Sequence, residues 1–161
     1  MADKEKPEGI LVVRGKKDKF EQAVREGAIE VRLYIESHGQ KKEEVADALK
    51  NTILNDLKQE KSIKLDEIKF HPVVQKGEFH SGFVECHLAF DDIRALVYVV
   101  ARYGPSAVEV LSPDKVTLNK GEMQALLSDM SSVVQGLSAK VLELMTPELR
   151  DKVLREGLNM K

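Results

Sequence analysis

From residue 28 to residue 36 the chain alternates with a period of two. Ile29, Val31, Leu33 and Ile35 are apolar, and Glu30, Arg32, Tyr34 and Glu36 stand between them. Successive side chains of a strand point to opposite faces, so the pattern predicts a β-strand with one face in a core and the other turned outward. Such a strand needs neighbours for its backbone hydrogen bonds and a cover for its apolar face.

The next segments supply both. Val45, Ala48, Leu49, Thr52, Ile53 and Leu57 recur at three and four residues, which predicts an amphipathic helix ending near Lys61, begun favourably for the helix dipole by Glu43 and Glu44. A second strand is expected over residues 68–74, where Ile68 and Phe70 alternate with Lys69 and His71, and Pro72 deletes a ladder donor and predicts an edge position. After the turn at Gln75, Lys76 and Gly77, a third strand runs from Phe79 to Phe90 and completes a hairpin. In it Val84, Cys86, Leu88 and Phe90 share one face, and Phe83, Glu85, His87 and Ala89 the other.

Asp91 or Asp92 caps a helix running to Tyr103, where Gly104 and Pro105 stop it; its middle, residues 95–101, is almost wholly apolar and predicts deep burial. A short strand follows over residues 107–111, Ser112 and Pro113 break it, and a long helix begins after Asn119. Thr146 and Pro147 start a last short helix expected to hold Leu149, Val153 and Leu154 against the body. Upstream, residues 10–13 form a short apolar run, and Phe20, Ala23 and Val24 sit at helical spacing, which predicts a short strand and a short helix. Residues 1–9 carry five charges and a proline and are expected to be a tail.

From residue 28 the order is therefore strand, helix, strand, strand, helix, strand, helix. This predicts an α+β fold, a ferredoxin-like βαββαβ antiparallel sheet with an N-terminal β/α extension and C-terminal helices. Right-handed crossovers place the four strands in the order fourth, first, third, second, with the helices on one face. One domain is expected over residues 10–161, comprising the core at 28–111 and a helical segment at 119–158.

Composition narrows the function. The chain has 161 residues, with 25 Lys and Arg against 27 Asp and Glu and a net charge of −2, so no dominant field draws it to nucleic acid or an anionic membrane. No apolar run approaches the roughly 20 residues of a membrane span, and the charged first residues lack a signal core, so a cytoplasmic protein is expected. A single cysteine, Cys86, excludes an internal disulfide and multi-thiolate metal sites. His71, His80, His87 and Cys86 lie close in sequence, but Cys86 and His87 point to opposite faces, so no metal site and no cofactor are expected. A nucleophile elbow, a P-loop and a dinucleotide fingerprint are all missing, and no catalytic residue is predicted. The Arg14, Gly15, Lys16, Lys17 stretch has the composition of a phosphate loop, and solvated loop charge explains it better.

Two surfaces remain as candidates for binding. The outward face of the sheet offers Arg32, Tyr34, Phe83, Glu85 and His87 as ligand contacts, with Arg32 as the anion-binding group. Tyr34 and Phe83 resemble a base-stacking platform, but the carboxylates beside them repel a phosphate backbone. The second surface is helical. Met123, Leu127, Met130, Val134, Leu137, Val141 and Leu144 are spaced 4, 3, 4, 3, 4, 3, a heptad seam that predicts docking on the sheet or on a second copy.

Residues 82–142, and in particular the run Tyr103-Gly104-Pro105-Ser106-Ala107-Val108-Glu109-Val110-Leu111-Ser112-Pro113 followed by a helix, resemble the C-terminal extension domain of WYL-type transcription regulators. That resemblance implies a ferredoxin-like domain contributing to oligomer contacts and ligand response. The Trp-Tyr-Leu motif and a helix-turn-helix are missing, so DNA binding and the family's ligand residues do not carry over. The function expected is a non-catalytic regulatory or interaction module, dimeric, engaging a small ligand or protein partner through the sheet face or the seam. The alternatives are an RNA-associated protein using Lys-rich loops, and an enzyme whose site the spacing does not reveal.

Overall fold

The computed structural model describes residues 9–156. In chain order they form β1 (Leu11–Arg14), α1 (Lys17–Arg25), β2 (Ile29–Gly39), α2 (Lys42–Lys50), β3 (Ile63–Phe70), β4 (Val74–Lys76), β5 (Phe79–Phe90), α3 (Ile93–Tyr103), β6 (Ala107–Ser112), α4 (Lys120–Leu144) and α5 (Pro147–Glu156). Apart from Gly9, the expected tail lies outside the described residues. Where one domain is expected from the sequence, these residues fall into two compact units that divide between Thr117 and Leu118, in the linker opened by Pro113. No helix among the described residues is long and apolar enough to cross a membrane.

The first unit is an α+β sheet structure. Its strands stand in the order β1-β3-β5-β2-β6, with β4 pairing the end of β5, and every adjacent pair is antiparallel. β2 and β5 are interior and pair over eleven residues, from Ile29 opposite Phe90 to Gly39 opposite His80. Their alternation sends Ile29, Val31, Leu33 and Ile35, with Val84, Cys86, Leu88 and Phe90, into one core. α2 and α3 cover that core with Val45, Leu49, Leu96 and Val99. Burial of α3 is confined to one face: Leu96 and Val99 are buried, whereas Tyr98 is 46% exposed, less cover than its apolar middle predicts.

The helical stripe that starts in α2 continues past it with a changed pitch. Residues 51–56 form a wider i→i+5 coil and residues 57–59 a single tight turn. Apolar positions spaced strictly by four drift around an α-helix of about 3.6 residues per turn. The wider coil brings Ile53 and Leu57 back over the sheet, where both are buried.

β3 departs most from expectation. It begins at Ile63, and it is interior to the sheet because β1 pairs with its far side. The register against β5 shifts between Leu65 and Glu67, so Asp66 is an inserted residue. A one-residue bulge inverts the period-2 pattern, so the core-facing set changes from Ile63 and Leu65 to Ile68 and Phe70. Pro72 lies beyond the strand and removes no ladder donor. Gly15 closes onto this bulge: its N–H donates to the Asp66 carbonyl at 2.8 Å. A Cβ at Gly15 would stand 1.9 Å from the Leu65 carbonyl oxygen, so the position admits only glycine without backbone movement. The Arg14 to Lys17 loop thus has a structural use for its backbone.

The helices are not all on one face. α1 packs on the side of the sheet opposite α2 and α3, where Phe20 and Ala28 enclose Ala89. At the other end of the sheet α3 is capped as its sequence predicts: Asp92 accepts from the Ala95 N–H at 2.8 Å, and Gly104 ends the helix at φ 53°.

In the second unit, α4 starts with a capping box, the Glu122 N–H donating to Asn119 Oδ1 at 3.0 Å and the Asn119 N–H to Glu122 Oε2 at 2.8 Å. Thr146 caps α5 through its hydroxyl, 3.4 Å from the Leu149 N–H. Leu149 is 48% exposed and Val153 half-buried, and the Leu154 side chain lies outside the described residues.

Candidate functional site

The face of the sheet away from α2 and α3 carries all five residues predicted to contact a ligand. β2 presents Glu30, Arg32 and Tyr34, and β5 presents Phe83, Glu85 and His87, with Arg32 opposite His87 and Tyr34 opposite Glu85. β3 adds Glu67 and Lys69, β1 adds Arg14 and β6 adds Glu109.

These charges answer one another across five strands. Arg14 Nε is 3.3 Å from Glu67 Oε2, and Lys69 Nζ lies 3.1 Å from Glu67 Oε1 and 3.4 Å from Glu85 Oε1. Arg32 then joins Glu85, at 3.2 Å through Nε, to Glu109, at 2.9 Å through Nη1. The Arg32 Nε contact is an ion pair out of hydrogen-bond line, so that N–H has no acceptor. The result is a ladder of alternating sign, most enclosed at Glu85, whose side chain is 18% exposed.

The ladder tunes its own members. Burial works to raise the Glu67 pKa, but Lys69 and Arg14 outweigh it and hold the carboxyl below its usual range. Lys69 is held above its usual value, first by its bond to Glu67, against burial and with help from Glu85. For Arg32, burial is overcome by Tyr34 and by the charges of Glu109 and Glu85, so its cation is held more firmly still. An anion that came to Arg32 would have to displace two carboxylates already in place.

His87 is held separately. Its Nδ1 is 2.8 Å from Asp66 Oδ2 and its Nε2 2.8 Å from Glu30 Oε1, and the Phe20 ring of α1 stands over it at 4.9 Å. Glu30 also accepts from Ser112 Oγ at 3.0 Å. The one hydroxyl in this series of bonds thus meets a carboxylate and not the imidazole, which is not the order that prepares a serine nucleophile. Among the described residues no group of three His, Cys, Asp or Glu side chains is placed to hold a metal ion.

Phe83 is 37% exposed and stacks on His71 at 3.9 Å with 14° between the rings. His71 Nε2 lies 3.8 Å from Glu85 Oε2 and makes no hydrogen bond. Cys86, on the core side, is fully buried, and burial, helped by Glu85, pushes its thiol up to about 12. It behaves as a small apolar side chain.

Asp66, Glu67, Lys69, Glu109 and Phe20 complete the geometry around the five predicted residues without having been predicted to. The alternation of Lys69 and His71 marks the outward side of β3, but the bulge hides Asp66 and Glu67 from any period-2 reading.

The helical seam is built differently. On α4 every seam residue is exposed: Met123 51%, Leu127 60%, Met130 46%, Val134 60%, Leu137 59%, Val141 52% and Leu144 78%. Leu126, Val133 and Leu142 are half-buried beside them. Some of its polar groups bond within the helix, Ser128 and Ser132 back to the carbonyls of Gln124 and Ser128 at 3.0 Å each, and Lys140 to Glu143 at 2.9 Å.

The family model of the MJ0538 family matches residues 30–159, from the start of β2 through α5, and so spans four-fifths of the chain. The chain belongs to the MJ0538 family. The matched stretch takes in the interior strands, the ladder from Glu67 to Glu109 and the whole seam of α4; Arg14 and Phe20 precede it. No curated protein and no solved structure matches the chain.

Proposed function

We propose that this member of the MJ0538 family is a non-catalytic interaction module: a ferredoxin-like α+β unit, extended at one edge by β1 and α1, carrying a helix whose apolar seam docks a protein partner. The observation that supports it most is the exposure of all seven seam residues on one capped helix of 25 residues. Soluble proteins rarely leave a contiguous apolar strip of this kind in water unless it is a contact surface. The strand order and antiparallel pairing of β3, β5, β2 and β6 support the ferredoxin-like assignment. The likeness of residues 82–142 to the extension domain of WYL-type regulators points to a regulatory setting.

The test is amide exchange on the full chain at micromolar concentration. Docking of the seam predicts strong protection along α4, lost in the Leu127→Asp/Leu137→Asp double variant while β2 and β5 keep theirs. Free exchange along α4 in the unaltered chain would overturn the proposal.

A second reading places a small ligand on the sheet face at Arg32, Tyr34, Phe83, Glu85 and His87. The exposed Phe83 ring and the unbonded His71 Nε2 favour it. Native mass spectrometry of gently purified chain would then find a retained small molecule that Arg32→Ala and Tyr34→Ala abolish; retention unchanged in both variants counts against it. The alternating sign of the ladder gives a phosphate backbone no continuous positive stripe, which argues against RNA on this face.

A further inference from the structure

We infer that the occupant of the α4 seam is a second copy of this chain, laid parallel to the first in a two-stranded coiled coil; the inference rests on the seam being a docking surface. Three observations on α4 carry it: the residue types at the seam positions, the charges beside them, and the length of helix available.

The seam spacing fixes the heptad register. Leu127, Val134 and Val141 fall at a, and Met123, Met130, Leu137 and Leu144 at d. β-branched residues at a with unbranched-Cβ leucine at d favour two parallel strands, because the a side chains of a parallel dimer lie alongside the facing backbone and the d side chains point at it. Val134 and Val141 at a, with Leu137 and Leu144 at d, follow that rule through the C-terminal half, and the flexible methionines at d occupy the N-terminal half.

Charge permits self-pairing. The e positions are Gln124, Ser131 and Ser138, and the g positions are Leu126, Val133 and Lys140. In a parallel pair each g residue faces the e residue five positions on in the other copy, giving Leu126 with Ser131, Val133 with Ser138 and Lys140 with Met145. No like charges meet. The acids Glu122, Asp129 and Glu143 all fall at c, off the seam, and Lys140 is already bonded to Glu143 of its own helix. A foreign helix chosen by charge needs charged e and g positions to be chosen by, and this helix offers one lysine. Gly136 also falls at c and leaves the seam unbroken.

Length is sufficient. Twenty-five helical residues at about 1.5 Å each extend some 37 Å, and the seam fills three heptads of it. The capping box at Asn119 and Glu122 fixes where the helix starts, so two copies in register bring their Met123 side chains together at the first d layer.

The experiment uses the full chain with Met123→Cys, a change at an exposed position of α4, and leaves Cys86 buried in the sheet core. Sedimentation equilibrium of the unaltered chain should give the mass of two chains, and mild oxidation of the variant should give a disulfide-linked dimer in high yield. In an antiparallel pair the two introduced thiols would stand roughly 30 Å apart at about 1.5 Å per residue and would not link. A two-chain mass without linkage overturns the parallel arrangement, and a three- or four-chain mass overturns the pairing. A one-chain mass with α4 amides still protected overturns the second copy while leaving a docked seam. A one-chain mass with α4 unprotected overturns both this inference and the reading beneath it.

Discussion

The outer face of the sheet and the seam of α4 are both laid out by a strict sequence period, and they differ in whether the chain answers what it displays. On the sheet, Arg14, Glu67, Lys69, Glu85, Arg32 and Glu109 pair in succession, and His87 sits between Asp66 and Glu30. On α4 Ser128, Ser132 and Lys140 bond within the helix and the apolar seam is left exposed. A surface whose charges already face opposite charges gains less from a charged ligand, because a new ion pair must compete with an existing one. An exposed apolar seam loses only water when it is covered. That difference, rather than the number of charged or aromatic residues, is the reason we propose the helix as the interaction surface.

The largest effect is expected at the seam. Leu127→Asp with Leu137→Asp removes two apolar side chains worth about 2 kcal/mol each on burial, so association should weaken by at least about a thousandfold, read as the shift in dissociation constant by analytical ultracentrifugation. Unfolding of the first unit should be unchanged in that variant.

A smaller effect is expected on the sheet. Glu85→Ala takes away the carboxylate shared by Arg32, Lys69 and His71, leaving Arg32 with Glu109 alone and Lys69 with Glu67 alone. Urea unfolding should show a loss of about 1 kcal/mol, with association unaffected. A variant that dissociates the protein as well would erase the contrast between the two surfaces.

The pH dependence sharpens the sheet side further. Glu67 titrates below its usual range in the folded chain, so its contribution is present above the usual carboxylate value and is lost as pH falls through the lowered one. Lys69 is raised, so its contribution is complete below the usual lysine value and is lost as pH rises through the raised one. Ladder stability should therefore be greatest between the two, and Glu67→Gln should flatten the acid limb of a urea-midpoint profile. At the smallest end stands Cys86. With its thiol pushed up to about 12 by burial, it should show no reaction with a thiol reagent at neutral pH until the chain unfolds, in the associated and dissociated states alike.

Much of this was legible in residue order. The alternation of β2 and β5 defines both faces of the sheet centre, Asp92 and Gly104 bound α3, and Asn119 with the heptad spacing marks α4. What escaped has local physical causes. The bulge at Asp66 inverts the alternation of β3, so half of that strand and two acids of the outer face read as loop. The placement of α1 across the sheet from α2 and α3 depends on Phe20 meeting Ala89 and His87, a contact that no period within α1 announces. The pairing of Arg32 with Glu109 joins residues 77 positions apart, and only the strand order brings them together. Arg32 therefore reads from sequence as a free cation and is found engaged.

The most direct test sets the two surfaces side by side by sedimentation equilibrium of three forms of the 161-residue chain: the unaltered chain, Leu127→Asp/Leu137→Asp, and Arg32→Ala/Phe83→Ala. The account predicts a two-chain mass for the unaltered chain and for the sheet-face variant, and a one-chain mass for the seam variant. A seam variant that keeps the mass of the unaltered chain, or a sheet-face variant that falls apart, would contradict it.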